Sequence, residues 1–289
     1  MHVLGIGFFW AFIIKRKELC ALQEFFSATP INNTAKKITK KPIKTWIYLV
    51  LIIALNLIVI VSLLLSNNLP LLTTSETIVI IAIAFLYFMI LLYPGVLVQL
   101  NAVILYLQLT CNIMNLIREI DPDSMTFGTI LENTANLMKK VNLISSFLSP
   151  QCFFLVCYHT YMIIIHVFNI FDYYSDGTFS PIIYVHFGAH ILHSILILCI
   201  YNWQSYDVKQ RLSEIRLYIF NFEITENSFV VIDKQKHTEE HSRKIVMSML
   251  DEFKGFDAYG YFILGKGLLA TIFMQCITYV LILFEFRMN

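Results

Sequence analysis

Charge is what this sequence has least of. Asp, Glu, Lys and Arg make up 14% of its 289 residues, against about 25% in a soluble domain. Hydrophobic residues reach 57%, and the mean hydropathy is +0.68. This deficit excludes an ordinary water-soluble globule and places the chain on the membrane side. A net charge of +1 offers nothing to nucleic acid, and no nucleic-acid partner is expected. The six cysteines (Cys20, Cys111, Cys152, Cys157, Cys199, Cys276) include no CxxC pair and no zinc spacing. They read as free, buried thiols rather than a disulfide framework. Internal repeats, low-complexity segments, a phosphate loop, a nucleophile–base pair and a paired-carboxylate site are also missing, so no enzyme and no cofactor is expected.

What the sequence has is long charge-free runs. No Asp, Glu, Lys or Arg occurs in 45–75, 77–117, 141–171 or 177–206. Within them we expect spans at about 45–66, 77–100, 147–170 and 181–203, with a last at 267–286. Each is near the ~20 residues that a helix needs to cross a bilayer. Pro70, Asp176-Gly177 and Pro181 break the short connections. The run 77–117 is too long for one crossing, so its helix is expected to continue past the membrane towards Arg118. Residues 1–14 are apolar but too short to span, and they lack the basic start and small-residue cleavage site of a signal peptide. They read as the inner half of a helix whose beginning is missing. The fold class expected is all-α, a polytopic membrane helix bundle with about five full spans and a partial first one.

Basic residues set the orientation. Loop 15–44 holds eight Lys or Arg, loop 116–146 three and segment 204–266 nine, whereas 67–76 and 171–180 hold none. Twenty of the 21 therefore fall on one side, with only Arg287 beyond the last span. By the positive-inside rule that side is cytoplasmic and the C-terminus lies outside, the reverse of a G-protein-coupled receptor. The single N-x-[ST] sequon, Asn32-Asn33-Thr34, then lies in the cytosol, out of reach of glycosylation. The organisation is a partial transmembrane helix at 1–14, a cytoplasmic loop at 15–44, a transmembrane bundle at 45–203, a cytoplasmic helical region at 204–266 and a last helix at 267–289.

That last helix carries a polar stripe. Thr271, Gln275, Thr278, Ile282 and Glu285 fall at i, i+4, i+7, i+11 and i+14, on one helical face. Two readings are open. Thr and Gln often hydrogen-bond a neighbouring helix, and Glu285 can reach water near the interface. Alternatively, several copies around an axis enclose a water-filled pore, with Ile282 as its apolar constriction and carboxylates that attract cations.

His186, His190 and His193 share a face at i, i+4 and i+7, with His159 and His166 in the preceding span. No acidic residue accompanies them, so packing, or lining a polar pocket, is favoured over a metal site or a membrane enzyme or transporter built on the His186/His190/His193 face. Tyr158, His159, Tyr161 and His166, with Tyr184, His186 and His190, are the candidates for a pocket that takes a small organic ligand. In the cytoplasmic region, Val208, Leu212, Ile215, Ile219 and Phe222 form one apolar stripe, and Ile245, Met249 and Phe253 another, with a charged linker at 223–238 between them.

The stretch Gly255-Phe256-Asp257-Ala258-Tyr259-Gly260-Tyr261-Phe262, with a Thr278-Tyr279 that leads after five apolar residues to Glu285-Phe286, resembles the C-terminal signature of the insect gustatory receptor family. The residues that carry it are Ala258, Gly260, Tyr261, Thr278, Tyr279, Glu285 and Phe286, with Glu285 where that family usually has Gln. The likeness in hydropathy and orientation extends over the family's last five of seven helices, which makes the missing part the first helix and most of the second. The resemblance implies a ligand-gated, non-selective cation channel, tetrameric, in the plasma membrane of a chemosensory neuron. Its partners would be a small-molecule tastant, identical or related subunits, membrane lipid and permeant cations. The final helix would line the pore, with Ile282 at the constriction and Glu285 one turn beyond, while the cytosolic helix ends of 204–266 anchor the subunits. Insect odorant receptors share the architecture, but the ending is of the gustatory type.

Overall fold

The computed structural model describes Lys15, residues 50, 51, 54 and 58, and residues 93–121, 125–175, 181–226 and 234–288. The expected partial helix at 1–14, loop 15–44 beyond Lys15, and most of the first two expected spans lie outside the described residues. The elements are α1 (Tyr93–Glu119), α2 (Phe127–Ser175), α3 (Pro181–Glu226), α4 (Lys234–Glu252), β1 (Asp257–Ala258), β2 (Phe262–Ile263) and α5 (Lys266–Met288). Among the described residues, four helical stretches are long and apolar enough to cross a membrane: Gln99–Glu119, Phe127–Ser175, Pro181–Phe222 and Lys266–Phe286. The chain is thus predominantly helical and of membrane character.

The long helices correct the sequence reading in one respect. The helix of the run 77–117 continues to Glu119, in line with the expectation, but α2 begins at Phe127, well before the span expected at 147–170. Ile130, Thr134, Leu137, Met138, Val141 and Ile144 recur at helical spacing and are buried, while Glu132 and Lys139 stay exposed. Charges do not mark where the helix ends. Thr126 starts α2 by accepting the Thr129 N–H on its Oγ1 at 3.4 Å. At 49 residues α2 is roughly 70 Å long, more than twice the hydrocarbon thickness. In the same way α3 carries its span straight on to Glu226, into what was expected as a linker. Its expected inner stripe holds: Val208, Leu212, Ile215 and Ile219 are buried, and Phe222 stacks on Phe127 with ring centroids 4.1 Å apart.

Packing centres on α2, which touches α1, α3, α4, α5 and β1. The buried face of α4 is offset from the expected one. Val246, Leu250 and Phe253 are buried, whereas Ile245 is 46% exposed, because i, i+4, i+7 from Val246 is the row that meets α2 and α3. Arg216 on α3 pairs with Asp251 at the end of α4. Of the described cysteines, all free, Cys152 and Cys276 are buried as expected, but Cys157 is exposed.

Between α4 and α5 lies an antiparallel hairpin that an all-α reading does not anticipate, with Asp257 opposite Ile263 and Ala258 opposite Phe262. Its turn needs positive φ at Tyr259 (53°) and Gly260 (74°). The Asp257 carboxylate accepts the Gly260 N–H at 3.0 Å, and the Ala258 carbonyl accepts that of Tyr261 at 3.0 Å.

Candidate functional site

Helix α5 is held by one narrow face. Ile272, Cys276 and Val280, at i, i+4 and i+8, are buried against α2 and α3. At 100° per residue, the stripe of Thr271, Gln275, Thr278, Ile282 and Glu285 lies roughly 140° away. All five of its residues are exposed. The two threonines satisfy their hydroxyl hydrogens within the helix, Thr271 donating to Gly267 O at 3.1 Å and Thr278 to Met274 O at 2.9 Å. No described side chain is recorded bonding to the stripe from α2 or α3, so its polar groups face away from the body that carries them. Beside it runs an exposed apolar sector of Phe273, Met274, Ile277 and Leu281. Tyr279 and Phe286, two of the motif residues, are exposed as well.

The base of α5 is built with more polar detail than its shaft. Three buried side chains on the long helices accept backbone N–H groups of the hairpin segment. Ser149 on α2 takes Tyr259 N–H at 2.7 Å, Ser205 on α3 takes Phe256 N–H at 3.1 Å, and Asn202 takes Gly265 N–H at 2.7 Å. Ser205 also donates to Leu264 O at 2.9 Å, and Leu264 N–H closes on Phe256 O at 2.8 Å. Beneath them Tyr106 stacks on Tyr201 at 4.0 Å, donates to the Tyr201 carbonyl at 2.8 Å and meets the edge of Phe256 at 5.9 Å. Lys266, the first residue of α5, sits 3.7 Å from the ring centre of Tyr206. The motif residues Ala258, Gly260 and Tyr261 thus form the hairpin turn, and α2 and α3 fix where α5 begins.

Because Ser205 serves a buried donor and a buried acceptor at once, Ser205→Ala orphans both. We expect a loss of about 2–3 kcal/mol, read as a lower thermal midpoint of the purified protein, with Ser213→Ala on the exposed face of α3 near zero.

The histidines lie along the α2–α3 seam. His159 is buried, with Nε2 2.7 Å from Gln99 Nε2 and Nδ1 3.1 Å from Ser194 Oγ. Its ring lies 5.9 Å from that of His193. His166 stacks on His190 at 4.5 Å, and His190 meets His186 at 4.8 Å. Both ring nitrogens of His166, both amide atoms of Gln151 and the Thr160 hydroxyl are buried with no hydrogen-bond partner among the described residues. Of the expected pocket residues, His166, His186 and His190 come together, whereas His159, flanked by Tyr158 at 5.1 Å, meets His193 instead. Tyr161 stands apart, 58% exposed. Among the described residues no three His, Cys, Asp or Glu side chains converge where they could hold an ion.

Sequence reasoning missed Gln99, Ser149, Asn202 and Ser205. Their only signal is a polar residue at the edge of an apolar run, Asn202 and Ser205 being one turn apart, and such residues are as common where they meet water. Compared with family models and with curated proteins, this chain matches none.

Proposed function

We propose that this chain is a subunit of a ligand-gated cation channel of the insect gustatory receptor type. It would assemble as a tetramer with identical or related subunits in the plasma membrane of a chemosensory neuron, with its C-terminus outside. The observation that carries the reading is the placement of the α5 stripe. A membrane helix whose polar residues serve only to grip its own bundle turns them inward, whereas here Thr271, Gln275, Thr278 and Glu285 all point away from it. Copies of α5 around an axis would line water with that stripe, leaving the sector at Phe273, Ile277 and Leu281 for a neighbouring subunit or lipid. The ligand is a small organic tastant, and the α2–α3 seam, with its histidines and the buried ring nitrogens of His166 that have no partner among the described residues, is the place proposed for it.

Cysteine accessibility tests the pore. In cells that express the channel, a membrane-impermeant thiol reagent is expected to block most of the ligand-evoked current in Thr278→Cys and Ile282→Cys. Val280→Cys, on the packed face, should be untouched. Equal modification of all three positions would overturn the assignment.

A further inference from the structure

A cavity of about 490 Å³ opens between α2 and the hairpin, and neither the stripe nor the histidine seam uses it. From α2 it is lined by Asn142, Ser145, Ser146 and Ser149, and from the hairpin by Asp257 and Tyr259. Lys15 reaches in from the N-terminal region, its Nζ donating to Ser146 Oγ at 3.0 Å.

Three properties define what fits. The first is chemistry. Among the described residues the wall carries one ammonium, one carboxylate, a row of hydroxyls and an amide, which is too polar for a lipid tail. An ammonium and hydroxyl donors suit a phosphate. A carboxylate beside them excludes a bare anion, yet it accepts from sugar-type hydroxyls. Asp257 keeps one oxygen for that purpose while Oδ2 takes the Gly260 N–H. The second is depth. Residues 142–149 straddle the start of the span expected at 147–170, and the hairpin ends just before Lys266, where the apolar stretch of α5 that is long enough to cross a membrane begins. The cavity therefore sits where headgroups sit. The third is charge. Lys15-Arg16-Lys17 directly follows the apolar 1–14, and Lys36, Lys37, Lys40, Lys41 and Lys44 directly precede the next apolar run, an arrangement that concentrates anionic lipid at a cytoplasmic surface.

We infer that this cavity is a binding site for a phosphorylated polyol, the headgroup of a phosphoinositide of the inner leaflet. The site rests on the basic-side-in orientation of the proposed channel but not on conduction. Occupancy would join Lys15 to Asp257 and Tyr259, across from Ser149, which holds the Tyr259 N–H at 2.7 Å. The lipid would thus brace the hairpin that sets the start of α5.

Native mass spectrometry of the full chain in detergent tests this without any current. The probes are dioctanoyl phosphatidylinositol 4,5-bisphosphate, dioctanoyl phosphatidylserine and soluble inositol trisphosphate. We expect the phosphoinositide to be retained at least about tenfold more tightly than phosphatidylserine. Lys15→Gln should remove about ten-fold of that affinity and Lys15→Arg should restore it, while Asn142→Ala, a surface change, should weaken it about three-fold. Lys36→Gln with Lys37→Gln changes none of the described lining residues and should change affinity less than three-fold, within the diffuse contribution of a basic loop. Inositol trisphosphate held as tightly as the lipid supports the site and assigns its occupant to the cytosol. Trisphosphate held more weakly assigns it to the membrane. Equal retention of the two lipids, or a loop variant that loses as much as Lys15→Gln, overturns the proposal. Absent currents alongside selective retention would sink the channel reading and leave this site standing.

Discussion

Gly255→Ala is expected to cost about 3–5 kcal/mol, and Gly260→Ala, five residues away in the same hairpin segment, only about 1 kcal/mol. Both glycines have positive φ, Gly255 at 129° and Gly260 at 74°. They differ in what surrounds them. A Cβ on Gly260 would meet nothing within 4 Å, and its φ lies where the left-handed region costs an L-residue about 1 kcal/mol. A Cβ on Gly255 would come within 3.0 Å of Ile263 Cγ2, 3.1 Å of the Leu264 carbonyl oxygen and 3.3 Å of Ser205 Oγ. Two of those neighbours are fixed, the Leu264 carbonyl and the Ser205 hydroxyl being bonded to each other at 2.9 Å. Relief at Gly255 therefore means breaking the polar clamp at the base of α5. Thermal unfolding of the purified protein reads the contrast directly. A fall of about 10 °C is expected for Gly255→Ala and a few degrees for Gly260→Ala. Equal shifts would mean that the close approach at Gly255 is not limiting.

The same pair shows what the sequence could carry. Gly260 stands inside the family-like motif and is singled out by it. Gly255 is only quoted alongside, although the structure puts the tighter demand there. A motif records residue types, whereas the demand on Gly255 comes from how the chain folds back on itself: Ile263 and Leu264 close over it at 3.0 and 3.1 Å, and Ser205, fifty positions earlier, holds the Leu264 carbonyl in place. Hydrophobic periodicity served best where one face meets one partner. The expected stripe from Val208 to Ile219 is the buried one. It failed by one position on α4, where Ile245 and Val246 are equally apolar and only docking onto α2 and α3 decides that Val246 goes inside. The charge map put the start of α2 too late, because Lys139 and Lys140 interrupt an apolar run without interrupting the buried row from Ile130 to Ile144. The polar stripe of α5 was legible in full, since a bare periodicity of 3.6 places Thr271 to Glu285 on one face. Which way that face points was not, because that depends on Ile272, Cys276 and Val280 finding α2 and α3.

Glu285→Gln is expected to lower the calcium-to-sodium permeability ratio by about three- to ten-fold, with little loss of ligand-evoked current. The argument starts from charge. A carboxylate lining water within about 4 Å of a passing ion contributes about 1 kcal/mol for each unit of ion charge in a water-like dielectric, and more where the walls are apolar. Around Glu285 they are, with Leu281, Ile282, Phe284 and Phe286 all exposed on the same stretch of α5. A divalent ion gains twice what a monovalent ion gains, so removing the charge shifts the ratio and not only the conductance. An amide keeps the size and a dipole of Glu285, so the pore should stay open while its preference relaxes. Thr271→Val is the control within the stripe. Its hydroxyl hydrogen is already committed to Gly267 O, so its loss should leave the ratio nearly unchanged. Reversal potentials under bi-ionic conditions measure both variants beside the parent. If Glu285 only reaches bulk water at the outer interface, it sits outside the field that selects ions, and Glu285→Gln leaves the reversal potential where it was. That outcome would take Glu285 out of the pore, and with it the outermost residue of the proposed lining.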